Sequence, residues 1–377
     1  MADDSSLSVG IEEEYLLVDL ETRDLARDPP DAFMQACQRI LGEQVTPEFL
    51  RCQIEVGTKV CRTVSEAGAE LAFLRRTIAS EARRHGMGLM AASTHPFAEW
   101  SDQKTTDKER YAKIEEDLQA VAQRLLICGM HVHVGVPDED LRIDLHSQLV
   151  YFLPHLLAFS SSSPFWRGRK TGLKSYRAAI SSELPRAGLP QTFSSAGEYR
   201  QTVDLLVKLG RIEDATRIWW DLRPSARFPT LEMRITDVAT RLEDAVAIAA
   251  TFQAFVAMLI SLKRRNQRWR QYLPALIAEN RWLAQRHGVK GKLIDFGRRE
   301  AVPFRDLVEE MIGLAREEAE KLGCVAELEH IRTIAAEGTS ADRQIAVYDR
   351  AVAEGRDKGS ALRAVVDHLV AETLEGC

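Results

Sequence analysis

Four short segments of this chain alternate apolar and polar residues with period two, and in each the polar positions carry acidic, imidazole or guanidinium side chains. In residues 7–18, Leu7, Val9, Ile11, Tyr15 and Leu17 share one face, while Ser8, Gly10, Glu12 and Glu14 share the other. In residues 52–57, Ile54 and Val56 oppose Gln53 and Glu55. In residues 130–135, Met130, Val132 and Val134 oppose His131 and His133. In residues 230–237, Leu231, Met233 and Ile235 oppose Glu232 and Arg234. Side chains of a strand point to opposite faces in turn, so each segment predicts a strand with one core face and one polar face.

Helical periodicity fills the intervals. Thr63 and Glu66 match a capping box that opens an amphipathic helix ending near His85 and Gly86. Residues 107–126, 145–160, 242–265 and 274–286 carry the same period. From Pro303 onward the chain reads as helix, broken at Gly323, at 337–340 and at 355–359. The strand spacings are irregular and no GxGxxG follows the first strand, which argues against a doubly wound parallel sheet. The expected class is α+β, with helices on one face of a sheet and a polar cavity on the other. Residues 160–195 form an irregular stretch holding Arg167, Arg169, Lys170, Lys174 and Arg177. A loop of that length reads either as a lid over a binding site or as a surface insertion.

With 45% hydrophobic and 28% charged residues in 377, the composition is that of a globular chain rather than a disordered or fibrous one. The net charge of −6 and the scattered basic residues disfavour a nucleic-acid partner. No apolar stretch is expected to reach the roughly 20 residues that span a membrane. The acidic N-terminal residues lack the pattern of a secretory signal. Six cysteines, at 37, 52, 61, 128, 324 and 377, form no CxxC and read as reduced thiols of a cytoplasmic protein.

Carboxylates are rarely buried unless they are paired or bind a metal. Any one of Glu12, Glu14, Glu55 and Glu232 could face solvent from a half-exposed sheet. Four of them on four strands, with His131, His133 and Arg234 at equivalent positions, point to a divalent cation. Carboxylate-dominated sites suit Mg²⁺ or Mn²⁺. Arg234 shares its face with Glu232, so it reads either as a phosphate ligand beside the metal or as a salt-bridge partner of a glutamate. Arg223 and Arg227 add positive charge just upstream, and no P-loop or kinase motif is present. Cys128 falls on the face opposite His131, which argues for a structural thiol rather than a nucleophile.

The segments VGIEEEYLLVD, QIEVGTKVC, CGMHVHVGVPDED, SYRAAISSELPRAGLP, LEMRITDVATRLEDA and ENRWLAQRHG, in this order, resemble the YbdK-type carboxylate–amine ligases, also called glutamate–cysteine ligase type 2. The resemblance runs from Ser8 to at least Asp295. It implies a glutamine-synthetase-like fold, whose antiparallel sheet forms a funnel with acidic metal ligands on its inner face. It also implies ATP-dependent joining of a carboxylate to an amine through an acyl phosphate, with glutamate and cysteine as the substrates of the family name.

By the same resemblance Glu12, Glu14, Glu55 and Glu232 are metal ligands, and His133 contacts a metal or a nucleotide phosphate. Arg234 steadies the transferred phosphoryl group and Arg177 binds the amino-acid carboxylate. Glu48 is the one candidate for a second carboxylate near Glu55. The implied cofactors are ATP and Mg²⁺ or Mn²⁺. The partners are small molecules, with no nucleic acid and no membrane, and the chain is expected to pair as a homodimer. Residues 1–377 are expected to form a single catalytic domain, with a sheet-based core over 1–300 and a helical extension over 301–377. A phosphotransferase of guanidino-kinase type, built on a related sheet and making no amide, is the alternative.

Overall fold

Seven strands, all paired antiparallel, form the sheet at the centre of the computed structural model, which describes residues 7–107 and 109–377. They are β1 (Val9–Asp19), β2 (Val45–Pro47), β3 (Gln53–Gly57), β4 (Met87–Met90), β5 (Met130–Gly135), β6 (Leu222–Pro224) and β7 (Thr230–Met233). Their order is β6–β7–β5–β1–β3–β2, with β4 paired to the far end of β1. The four segments read from alternation are β1, β3, β5 and β7. β7 stops at Met233, and Asp237 returns only for an isolated bridge to Gly129. β2 and β6 have three residues each, too few to display a period, and all four residues of β4 are buried, so it shows no alternation.

The odd positions of β1 face a core shared with the helices. The helix Leu242–Arg264 lies at its centre, against Val64–Arg84 and Phe304–Leu322. It is long and apolar enough to cross a membrane by length and composition, which corrects the expectation that no stretch reaches that length. Most of it is buried inside the protein, and a helix that is apolar all round is what such a central position requires. A Cβ on Gly68 would stand 2.9 Å from Val246, so glycine there lets the two helices approach. The C-terminal helices join the same apolar cluster, with Lys358–Glu372 packed against β4.

Thr63 caps the helix Val64–Arg84 by accepting from the Glu66 N–H. Glu66 accepts from the Arg62 N–H, one residue further back than a reciprocal box would have it. The reciprocal box forms instead at Thr339 and Asp342.

The stretch 160–195 is largely stitched down. Asp237 accepts from the Ser162 N–H and from the hydroxyls of Ser163 and Ser175, all buried. Arg167, Lys170 and Lys174 pair with Glu99, Asp349 and Asp342.

An ion pair is buried on the apolar side of β1. Glu13 is fully buried and meets Arg75 of the helix Val64–Arg84 at 2.7 and 2.9 Å. Tyr15 donates to the same carboxylate. The remaining donors of Arg75 go to the carbonyls of Ala239, Thr240 and Thr373. The ion pair therefore ties β1, a helix, the chain after β7 and the C-terminal segment together. Removing one partner of such a pair typically costs about 3–5 kcal/mol, because the other charge is left buried and unpaired. Arg75→Met is accordingly expected to lower unfolding stability in urea by about that amount. Adding Glu13→Leu should recover a large part of the loss. A single-variant loss below about 1 kcal/mol would mean the pair is dispensable.

Candidate active site

The register of the sheet brings the polar positions together. Glu14 of β1 stands opposite Glu55 of β3, and Glu12 stands opposite His131 of β5. His133 stands opposite Glu232 of β7, which in turn stands opposite Arg223 of β6. Since alternate residues share a face, these side chains and Arg234 form a row across five strands. The row lines a cavity of about 590 Å³, within the range of about 300–1,000 Å³ usual for small-molecule sites. Other walls come from Phe49, Tyr111, Leu125 and Ile127, and from Trp219, Arg227 and Phe228. Of the five basic residues noted in the stretch 160–195, Arg177 alone lines it.

Around Glu12 the contacts are close. Its Oε2 lies 3.3 Å from His131 Nδ1 and its Oε1 lies 3.4 Å from His133 Nε2. One donor atom each from Glu12, His131 and Glu232 falls within 4.8 Å of the others. Glu232 accepts from Arg223 at 2.9 and 3.0 Å and from Arg234 as well. A carboxylate offers about four lone-pair sites, so these three bonds leave room for one further ligand. Arg223 is locked in turn by the carbonyls of Thr216 and Ile218.

The electrostatics divide the row in two. Burial pushes Glu232 up, but Arg234 and Arg223 outweigh it and bring its carboxyl down to about 2. Burial also raises Glu12, and its contacts with His131 and His133 more than offset that, holding it well below the carboxylate range. Burial and the neighbouring Arg234 lower His131 to about 4, so its imidazole is neutral at pH 7. On the other side, burial and the adjacent Glu48 push Glu55 well up. Burial and the charge of Glu55 raise Glu14 to about 7. Glu14 also accepts from the Gly129 N–H at 2.7 Å.

Two ionised carboxylates and a neutral imidazole form a donor set that suits a divalent cation. His133 Nε2 is buried beside Glu12 with no well-formed hydrogen bond, so it is a further donor that could turn to a ligand. Burial and the neighbouring carboxylates raise Glu14 and Glu55 even though Arg234 acts against the shift, and a bound cation would relieve that crowding. The residues present therefore fit such an ion.

Several side chains differ in place from their sequence reading. His131, read only as part of the polar face, joins the three-donor group. Glu14 and Glu55 lie beside that group rather than in it, and Glu48 reaches Glu55 from the chain after β2. Arg177 is buried with its Nη atoms on the carbonyls of Ile235 and Arg234, and its Nε has no partner. A Cβ on Gly129 would stand 2.4 Å from its guanidinium, so any side chain there would have to displace Arg177 from these carbonyls. Arg223, noted from sequence only as nearby charge, proves to be the clamp on Glu232. Its strand is three residues long and contains a proline, so no alternation marks it. The six cysteines are free thiols, and burial pushes Cys128 well up, with Glu14 adding to the shift.

Residues 8–368 match the family described as Glutamate-cysteine ligase family 2 (GCS2). The chain belongs to this family. A Rhodospirillum rubrum protein named "Putative glutamate--cysteine ligase 2" is 59% identical over 373 residues, covering 98% of this chain and 96% of the relative. A protein of the same name from Paracoccus denitrificans is 48% identical and covers 99% of each chain. Among solved structures, the glutamate–cysteine ligase of Francisella tularensis in complex with AMP superposes with a TM-score of 0.68 at 14% identity. It covers 98% of this chain and 89% of that one. A bifunctional glutathione synthetase from Pasteurella multocida gives the same score at 15% identity, and this chain spans about half its length. At these identities the two structures speak for the fold alone. The fold is α+β, an antiparallel sheet with flanking helices, and the GCS2-family chain is an ATP-dependent carboxylate–amine ligase.

Two measurements check the site. Mg²⁺ or Mn²⁺ at 100 times its Kd should stabilise the wild-type protein by about 2.7 kcal/mol, read as a rise in Tm that chelation reverses. Glu12→Gln should abolish that rise while leaving the fold intact. An equal rise in the variant would remove Glu12 from the ion site. Cys128→Ala should retain most ligase activity and lose only some stability, and complete loss of activity in a folded variant would reopen a covalent role for the thiol.

Proposed function

We propose that this ligase joins the side-chain carboxylate of glutamate to the amino group of cysteine, through an acyl phosphate and at the expense of ATP. The observation that carries the reading is the row of carboxylates, histidines and arginines across one sheet face, in a chain of the GCS2 family. The names of its relatives support the pair of substrates.

In this reading Glu12, Glu14, Glu55, His133 and Glu232 hold Mg²⁺ or Mn²⁺, with His131 as an added donor and Glu48 beside Glu55. Bound divalent cations would neutralise the triphosphate charge and help align the γ-phosphoryl group. Arg234 holds the equatorial oxygens of that group as it transfers. Arg223 keeps Glu232 in one orientation, so that Glu232 and Arg234 keep their relative position. Arg177 supplies the positive charge that receives the amino-acid carboxylate.

A carboxylate oxygen of the acid attacks the γ-phosphorus and ADP leaves. The amine nitrogen then attacks the acyl carbon, the C–O bond to phosphate breaks, and the nitrogen loses a proton as the amide forms. The cavity walls must exclude water, which would hydrolyse the acyl phosphate. Residues 1–377 act as one catalytic unit in the cytoplasm, an assignment the free and mostly buried thiols support, and the chain pairs as a homodimer.

The test is ADP release measured over pairs of amino acids. Release should require both glutamate and an amine, with cysteine preferred. ADP release that is indifferent to the amine would favour a phosphotransferase instead. Arg234→Lys should lower kcat on the order of 10²–10³-fold, with a smaller effect on the KM for ATP, because a point charge cannot replace the planar fork. Near-normal kcat with a lowered Tm would make Arg234 a structural partner of Glu232 only.

A further inference from the structure

The motif ENRWLAQRHG lies in the helix Pro274–His287, which contributes nothing to the cavity lining among the described residues. One of its side chains nevertheless reaches the end of the sheet that carries Arg234. Arg281 Nε donates to Asp221 Oδ2 at 2.7 Å, and its Nη2 donates to Oδ1 at 3.3 Å. The two side chains are 11% and 7% exposed, so this is a nearly buried two-point pair.

The main chain of Asp221 is fixed as well. Its N–H donates to the Gly188 carbonyl at 2.8 Å. Its carbonyl accepts from the Arg234 N–H at 2.8 Å and from the Ile235 N–H at 3.1 Å. These bonds fall where the ladder has run out. The pairing of β6 with β7 ends at Leu222 and Met233, and that of β5 with β7 ends at Val132 and Met233. Arg234 is the next residue, so its main-chain position depends on Asp221 from one side and on Arg177 from the other.

We propose that Arg281 is a positioning residue for Arg234, acting through Asp221. It fixes the Asp221 carbonyl that holds the Arg234 and Ile235 N–H groups, and it keeps the Asp221 carboxylate occupied. Asp221 also lines the cavity, together with Arg223, Arg227 and Arg234. A buried carboxylate stripped of its partner is drawn to such guanidinium groups, and would compete with Glu232 for Arg234. The inference rests on the reading that Arg234 contacts the transferred phosphoryl group. A pair that merely ties the helix to the sheet is the competing account.

The variants are Arg281→Lys, which keeps the charge and loses the fork, and the neutral pair Asp221→Asn with Arg281→Gln, which serves if the first does not fold. Three quantities are read on each: amide hydrogen exchange at Arg234 and Ile235, kcat against the KM for ATP, and Tm. Exchange at both amides should accelerate. The kcat should fall about 10–100-fold, as is typical when an outer-shell partner is lost, with the KM for ATP nearly unchanged. Adding Arg281→Lys to Arg234→Lys should cost little further, because the first residue acts through the second.

Unchanged exchange at both amides would overturn the inference. So would full kcat with a lowered Tm, which is the outcome a simple tether predicts. If the wild-type protein released no ADP in the presence of any amine, the functional reading would fall instead. The exchange measurement would still decide whether Arg281 holds Arg234.

Discussion

Like charge concentrated on one face of one sheet is the constraint on which the rest of this structure depends. The antiparallel register sets Glu14 directly opposite Glu55 and brings Glu48 beside it, while Glu12 and Glu232 converge on the two histidines. Carboxylates this close repel strongly wherever the medium is less polarisable than water. The chain meets that repulsion in two ways. On one side of the row it supplies its own cations, with Arg223 and Arg234 gripping Glu232. On the other, burial and neighbouring carboxylates push the carboxyls of Glu14 and Glu55 upward, a shift that a divalent ion or a cationic ligand would relieve.

A floor built of mutually repelling groups needs a rigid support beneath it. The apolar face supplies this through the central helix Leu242–Arg264 and through the Glu13–Arg75 pair. Glu13 stands between Glu12 and Glu14 in sequence but on the opposite face, so the same strand carries the site and the anchor that fixes it. The arginines at the far edge follow the same logic. Arg223, Arg177 and Arg281 each spend donors on main-chain carbonyls or on a buried acid, and together they hold the chain on either side of Glu232 and Arg234. The preorganisation of a charge-handling site is in this way distributed over elements far apart in sequence.

How much of this the sequence revealed depended on length and on partners. β1, β3 and β5 are long enough for two or more full alternations, and around β7 the alternation runs on past the strand to residue 237; with these segments came the polar row and the carboxylates that carry it. β2 and β6 are too short to show a period, so Arg223 went unassigned. Glu13 breaks the apolar face of β1, and the reason for it is Arg75, 62 residues away. Alternation also placed His131 and His133 on the same face without saying which of them meets Glu232. That is a matter of register and side-chain reach, which a single strand cannot encode. The basic stretch after Ser160 reads from its irregularity as either a lid or a surface insertion. Its buried serines and outward ion pairs are tertiary facts, fixed by Asp237, Asp342 and Asp349.

The central claim is that the sheet face couples ATP cleavage to amide formation through an acyl phosphate. It is tested most directly with glutamate carrying ¹⁸O in its side-chain carboxylate, incubated with ATP, Mg²⁺ and cysteine. An acyl phosphate route transfers one labelled oxygen from the carboxylate to the phosphate released with each amide formed. Labelled phosphate in a one-to-one ratio with product is the expected result. Amide formed with unlabelled phosphate would contradict the account, because the bond broken in the second step would not be the one the mechanism requires.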